Sequence, residues 1–287
     1  MRPDAIVVGA ATVGQDSKHR KASSLGTTDI QAPRGQMGKI ISFNAFLRGT
    51  GKSSFLANIA VLLAARGKRV GVVDLDESAP TLHLLFGLRS PQMTFTLSDY
   101  LAGRCPIFQT AYEVTPPRPK RGEGRVFLVP LSVELGQVPM ALRGGLDMDM
   151  LSSGLQELMK ILALDLLLID GSSGLNELSL TAVAMSDVAV LLLRLDKRDY
   201  QGTAVMVDLA RKLEVPRLEL VLNMVLPGFD AEAVKAKVSE TYGCEVIAVL
   251  PYSEDFAATA GSGLFVLENP DHAETAALRR VATRLAG

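Results

Sequence analysis

The stretch from Gly38 to Asp76 constrains this chain more than any other. Ile40 to Phe43 is a short apolar run, and Phe46 to Ser53 is a compact loop closing on Gly51-Lys52-Ser53. From Phe55 the apolar residues recur at Phe55, Leu56, Ile59, Leu62 and Leu63, the i, i+3, i+4, i+7 spacing of an amphipathic helix. Gly67 stops that helix, and Val70 to Val73 runs as a second apolar strand into Asp74 and Asp76. The pattern predicts one βαβ unit with a glycine-bearing loop at the helix N-terminus.

Such a loop suits phosphate. Free N–H groups at a helix start converge on one spot, and the helix dipole favours an anion there. Gly49 and Gly51 let the backbone approach a phosphate with no Cβ in the way. Lys52 is placed to reach the β- and γ-phosphates, and the Ser53 hydroxyl to bind Mg²⁺. Against the consensus G-x-x-x-x-G-K-[ST], Phe46 stands where the first glycine would be. A bare Gly-Lys-Ser is a weak signal; the same triplet after an apolar strand and before an apolar-periodic helix is a strong one.

The rest of the chain continues the alternation. Short helices are expected at Thr81 to Gly87 and Thr96 to Gly103, an exposed connection at Pro116 to Arg125, and a strand at Val126 to Val129. Asp147 to Ala163 reads as a helix, and Leu164 to Ile169 is a nearly continuous apolar run ending in Asp170. A buried strand there lifts Asp170 into the mouth of the sheet, where ligands of open α/β sheets collect and where a carboxylate holds Mg²⁺ through water. Then come helix Asn176 to Met185, strand Val188 to Leu193 and helix Gly202 to Leu213. Strand Leu218 to Leu222 ends at Asn223, helix Ala231 to Tyr242 follows, strand Val246 to Leu250 ends at Pro251, and helix Ala273 to Leu285 closes the series. The fold expected is α/β, a mostly parallel sheet with right-handed crossovers and helices on both faces. A composition of 48% apolar but only 5% aromatic residues suits a sheet covered on both sides.

Residues 1 to 36 lack sustained periodicity, and are expected to be a flexible tail carrying the polar, basic run Asp16 to Lys21; Ala5 to Val8 could pair as an edge strand. Residues 37 to 287 are expected to form one domain. A formal net charge of −1 gives no global attraction to nucleic acid or anionic lipid. Cys105 and Cys244 lie far apart without C-x-x-C spacing, which fits a reducing cytoplasm better than a disulfide framework or a zinc site. No apolar run reaches the ~18 residues of a membrane span, and Ala5 to Gln15, preceded by Asp4, makes a poor signal peptide. A cytoplasmic protein is expected.

From about residue 38 onward the chain resembles the MinD/ParA family of P-loop ATPases, whose deviant Walker A motif is K-G-G-x-G-K-[ST]. The resemblance rests on Gly49-Thr50-Gly51-Lys52-Ser53-Ser54, on Asp74-Leu75-Asp76 as the family's D-x-D segment, and on Leu168-Ile169-Asp170 as Walker B. Asn223 stands where the family places an adenine-reading Asn, and Pro251 starts the loop flanking the base. The resemblance implies ATP and Mg²⁺ as ligands. It implies that Lys52 binds phosphate and that Ser53 ligates the metal, with Asp74 beside it and Asp170 holding it through water. It implies that Asp76 positions the attacking water, and that Gly171 to Gly174 form a second switch segment. Phosphoryl transfer needs in-line positioning and charge neutralisation more than a strong base, in keeping with this set.

The chain also departs from the family. Leu47 occupies the position of the signature lysine that reaches a partner subunit's phosphates, and Arg48 that of the first glycine of the pair. Arg48 could supply the charge in trans, since a guanidinium grips phosphate bidentately, or its bulk could keep two subunits apart. Met224 follows Asn223 where the family has a basic residue. The last helix, with Leu278, Val281 and Leu285 on one side and Arg279, Arg280 and Arg284 on others, admits two readings: a basic amphipathic membrane anchor, or a helix packed on the sheet. Lys197-Arg198, Arg211-Lys212, Arg217 and the cluster at 118–125 admit a non-specific DNA patch or plain surface charge.

The leading expectation is a cytoplasmic ATPase, peripheral to membrane or nucleoid, that hydrolyses ATP slowly and uses an ATP-dependent homodimer or an activating partner to position a cargo. The rival is a hydrolysis-deficient scaffold localising a pilus or secretion assembly, favoured by Leu47 and Arg48. An iron–sulfur reductase related to the nitrogenase iron protein shares the fold, but needs paired cysteines whose spacing Cys105 and Cys244 do not match.

Overall fold

A computed structural model describes residues 38–116, 124–132, 147–259 and 263–287. The expected tail, its strand at Ala5 to Val8 and its basic run lie outside these residues, as does most of the expected connection after Pro116.

Eight strands form one sheet in the order β3-β4-β2-β5-β1-β6-β7-β8. They are β1 Lys39–Asn44, β2 Arg69–Asp74, β3 Tyr112–Glu113, β4 Arg125–Val129, β5 Leu166–Asp170, β6 Val188–Leu193, β7 Arg217–Val225 and β8 Glu245–Pro251. All pairings are parallel except β3 with β4. The sequence reading missed β3, because two residues are too few to show an alternating pattern; Tyr112 and Glu113 pair with Leu128 and Phe127.

Period-two alternation sorts the strands' side chains onto two faces. Ile41 and Phe43 of β1, Val70 and Val72 of β2 and Val188, Val190 and Leu192 of β6 pack beneath helix α1 (Lys52–Ala65). Leu167 and Ile169 of β5 face the other way, against α4 (Met148–Ile161) and α5 (Glu177–Ala184). Further along that face, Leu191, Leu193, Leu220 and Leu222 meet α6 (Lys197–Lys212) and α7 (Ala231–Tyr242). Between these come the short helices α2 (Leu82–Leu85) and α3 (Leu97–Leu101). Beyond β8 lie α8 (Glu254–Thr259), α9 (Phe265–Glu268) and α10 (Ala273–Ala286).

Two local expectations need correction. The sequence stripe predicts an amphipathic α1, but Ala57, Asn58, Ala60, Val61 and Ala64 are buried as well. The reason is α10, which lays Leu278, Val281, Ala282 and Leu285 into the same core and so covers the back of α1. Asn58 pays its burial cost by donating to the Ser54 carbonyl at 2.7 Å and accepting from the Val266 amide at 2.9 Å. The same packing removes the membrane-anchor reading of the last helix, because its apolar stripe faces the core. The second correction concerns α6, which begins at Lys197, five residues before Gly202. Asp196 caps it by accepting from the amides of Arg198 and Asp199 at 2.9 and 3.0 Å.

Candidate functional site

The site forms where β1, β2 and β5 end side by side. Phe43 of β1 and Asp74 of β2 both stand opposite Asp170 of β5, so the register alone brings the two carboxylates together. Gly51 turns the chain from the loop into α1 with φ 82°, a left-handed conformation that a side chain would strain. Gly51, the N-cap of α1, has no side chain to cap the outward-pointing amides of its first turn.

Lys52 and Ser53, the first two residues of α1, both reach Asp170. The Lys52 ammonium donates to Asp170 Oδ1, and Ser53 Oγ donates to Oδ2 at 2.6 Å. Lys52 Nζ also lies 3.6 Å from Asp76 Oδ2. Asp74 accepts from the amides of Asp76 at 3.0 Å and Leu82 at 3.3 Å, fixing the segment after β2. Lys52, Asp74, Asp76 and Asp170 are all buried, and the one ammonium pairs with Asp76 and Asp170 while Asp74 stands beside Asp170. Burial, reinforced by the Asp170 charge, pushes the Asp74 carboxyl well above the ordinary range. Burial also raises Asp170, although Lys52 and Ser53 pull against it.

A cluster short of positive charge, with a hydroxyl among its donors, suits a hard cation. Among the described residues no three His, Cys, Asp or Glu side chains make an all-protein metal cage. Mg²⁺ does not need one, because it keeps waters and shares substrate phosphates. Ser53, Asp74 and Asp170 therefore fit Mg²⁺ with a nucleotide.

The loop itself is open. Gly49, with φ 74°, has no atom within 4 Å of where a Cβ would stand, and Arg48 is exposed. Phe46, at the consensus glycine position, does not obstruct the loop, because its ring packs against the core cluster under α6 and lies against Gly202. Beyond Gly51 a cleft of about 550 Å³ extends between β7, β8 and α10, lined in part by Ser54, Phe55, Asn223, Met224 and Pro251.

Residues 39–286 match the ParA family model described as a NUBPL iron-transfer P-loop NTPase. The chain belongs to the MinD/ParA family of P-loop ATPases. An uncharacterized ATP-binding protein of Methanocaldococcus jannaschii is 26% identical, covering 83% of this chain and 84% of its own. The Bacillus subtilis septum site-determining protein MinD is 22% identical over 88% of this chain and 90% of its own. An iron–sulfur cluster carrier protein of Deinococcus radiodurans is 28% identical over 83% and 66%. Among solved structures, the cell division ATPase MinD of Pyrococcus furiosus superposes with a TM-score of 0.71 at 25% identity, covering 87% of this chain and 98% of that one.

Of the residues the MinD/ParA resemblance singles out, the fold gathers Lys52, Ser53, Asp74, Asp76 and Asp170 into one cluster. Thr50, buried, binds the second group to it: Asn223 Nδ2 donates to the Thr50 carbonyl at 2.7 Å. Asn223 and Pro251 line the cleft with Gly51 and Ser54. Among the described residues the basic stretches are spread along α6 and into β7, and most of the cluster at 118–125 lies outside the described residues. Lys197-Arg198 and Arg211-Lys212 sit at opposite ends of α6, on the order of 20 Å apart at 1.5 Å per residue. Arg211 binds the Tyr242 carbonyl, and Arg217 lies 3.1 Å from Glu219. Sequence reasoning missed Ser253, Glu274 and Leu278, which also line the cleft. Ser253 lies in the loop that Pro251 starts, while Glu274 and Leu278 stand in a stretch with no motif and are brought there by the packing of α10 beside β8.

Proposed function

We propose that this ATPase is a nucleotide-dependent switch of the MinD type, in which ATP with Mg²⁺ orders the loops after β2 and β5 and hydrolysis releases them. The observation that carries this reading is the convergence of Lys52, Ser53, Asp76 and Asp170 at one end of the sheet. In this reading residues 37 to 287 act as one ATPase domain. The loop from Arg48 to Ser54 cradles the phosphates, Lys52 neutralises them, and Asp76 orients the attacking water. Ser53, Asp74 and Asp170 hold Mg²⁺, which supplies charge neutralisation when bound. Asn223 and Pro251 flank the base. The switch would act through an ATP-dependent homodimer or an activating partner protein to position a cargo in the cytoplasm. Light scattering with and without ATP, on the native chain and Asp76→Ala, tests this. ATP should convert one subunit to two, and Asp76→Ala should keep the two together while phosphate release falls to background. An unchanged mass in ATP together with undiminished release by Asp76→Ala would sink the switch.

Leu47 and Arg48 favour a second reading, a scaffold that binds nucleotide without turning it over and localises a pilus or secretion assembly. Arg48 is exposed beside the loop and makes no described hydrogen bond or ion pair within the chain. Arg48→Ala separates the two readings. If the guanidinium acts on a second subunit's phosphates, the variant loses ATP-induced association and release together. A scaffold shows no release to lose.

A further inference from the structure

One side chain ties the phosphate loop to β7. Asn223 Nδ2 donates to the Thr50 carbonyl at 2.7 Å, and because a carbonyl can only accept, it fixes which end of the amide faces it. The ladder of α1 opens with the Phe55 amide on the Gly51 carbonyl at 2.9 Å, so the Thr50 carbonyl lies one residue outside it. Thr50 and Asn223 are both buried, and a buried carbonyl needs a donor. A Cβ at Gly51 would stand 2.6 Å from Asn223 Nδ2, so the absent side chain also makes room for the amide. The strand is bent to deliver it. Pairing of β7 with β8 runs from Leu222 opposite Val249 to Val225 opposite Pro251, three steps against two, so one extra residue is inserted there. Met224 takes a left-handed conformation at this bulge, with φ 55°, which strains a residue that has a Cβ. The kink breaks the strand's alternation. Asn223 and Met224 are neighbours in sequence, yet both lie against Gly51, with Met224 Cε 3.4 Å from the position of its missing Cβ.

We infer that Asn223 is a positioning residue for phosphate binding: its amide anchors the Thr50–Gly51 turn, so that the loop's grip on phosphate depends on β7 even when no base fills the cleft. This rests on the nucleotide-switch reading and gives Asn223 a task beyond flanking the base. The Thr50 carbonyl and the Gly51 N–H belong to one rigid peptide plane, so fixing the carbonyl fixes where that amide points. Without Asn223 the plane is free to turn, and the amide at the start of α1 turns with it. Backbone strain persists only where the surrounding structure over-determines it, and the kink at Met224 is held for what it delivers.

The test is competition against a ribose-labelled fluorescent ATP by ATP and by inorganic tripolyphosphate, which has no base, both with Mg²⁺. It is run on the native chain, Asn223→Ala, Met224→Gly and Met224→Val. Asn223→Ala should weaken tripolyphosphate about fivefold or more, the value of one buried carbonyl left unpaired, and ATP by at least as much. Met224→Val should weaken tripolyphosphate likewise with Asn223 intact, because a β-branched residue resists the left-handed kink. Met224→Gly adopts the kink freely and should bind tripolyphosphate as the native chain does. Unchanged tripolyphosphate affinity in Asn223→Ala, whatever happens to ATP, leaves Asn223 at most a base contact and overturns the inference. If Asn223→Ala does not fold, unchanged tripolyphosphate affinity in Met224→Val, or equal losses in the two Met224 variants, overturns it instead. So does a native chain that binds ATP but not tripolyphosphate. In all these cases binding of ATP by the native chain leaves the switch standing. A native chain that binds neither ligand overturns both.

Discussion

Two clusters of carboxylates sit at opposite ends of the same sheet, and they are built differently. At the C-terminal ends of β2 and β5, Asp74, Asp76 and Asp170 gather at the single ammonium of Lys52, which pairs with Asp76 and Asp170. At the N-terminal ends of β7 and β8, Glu219 and Glu245 meet two guanidiniums. Arg284 reaches Glu219 at 2.8 Å and Glu245 at 2.6 Å, and Arg217 lies 3.1 Å from Glu219. The lower cluster is balanced charge for charge and fastens α10 to the sheet edge. The upper one is over-supplied with negative charge, which burial penalises unless a further cation is part of the design. Matched charge marks structure; mismatched charge at the mouth of the sheet marks function.

The sharpest way to break this contrast is Lys52→Ala. It should lower phosphate release by roughly a hundredfold or more, by removing a preorganised positive charge. It should also cost about 3 kcal/mol of stability, because Asp170 loses its buried partner. Denaturant unfolding reads the second effect, and no change would mean that the carboxylates are better solvated than their burial suggests.

A change that leaves every charge in place comes next. A Cβ at Gly202 would stand 1.9 Å from the Phe46 ring, so Gly202→Ala must drive that ring towards the phosphate loop. Overpacking of this kind costs about 1–3 kcal/mol, and nucleotide affinity should fall with it. Unaltered affinity despite lost stability would show that Phe46 can move without disturbing the loop.

The smallest effect is expected at the lower cluster. Arg284→Ala should destabilise by about 1 kcal/mol, since Arg284 is partly solvent-exposed and Arg217 remains beside Glu219. Phosphate release per folded molecule should stay within about twofold, the range of a surface change far from the site. A large loss of turnover in a fully folded Arg284→Ala protein would erase the division between the two ends.

Much of the upper cluster was legible before any coordinates. Gly51-Lys52-Ser53 between an apolar strand and a helix, and Asp74 and Asp170 at strand ends, are local patterns, and parallel pairing then placed the carboxylates in register. The cleft was legible only at Asn223 and Pro251. Glu274 reads in sequence as an ordinary acid in a helix's first turn, favourable to the dipole, and nothing near it signals a ligand. The basic stretches show a similar limit: sequence shows that Lys197 and Lys212 are charged, while the helix that carries both sets them at its opposite ends.

The sequence by itself determined the order of the longer strands and helices, because each such element's apolar period is written within its own few residues. It also marked the residues expected to meet phosphate, because that pattern lies in one short loop and two strand ends. Tertiary structure alone decided that Phe46 turns away from the loop, that α10 covers α1 instead of facing outward, and that Glu274 lines the same cleft as Asn223. Those outcomes depend on contacts between residues tens to hundreds of positions apart, whose packing no local pattern records.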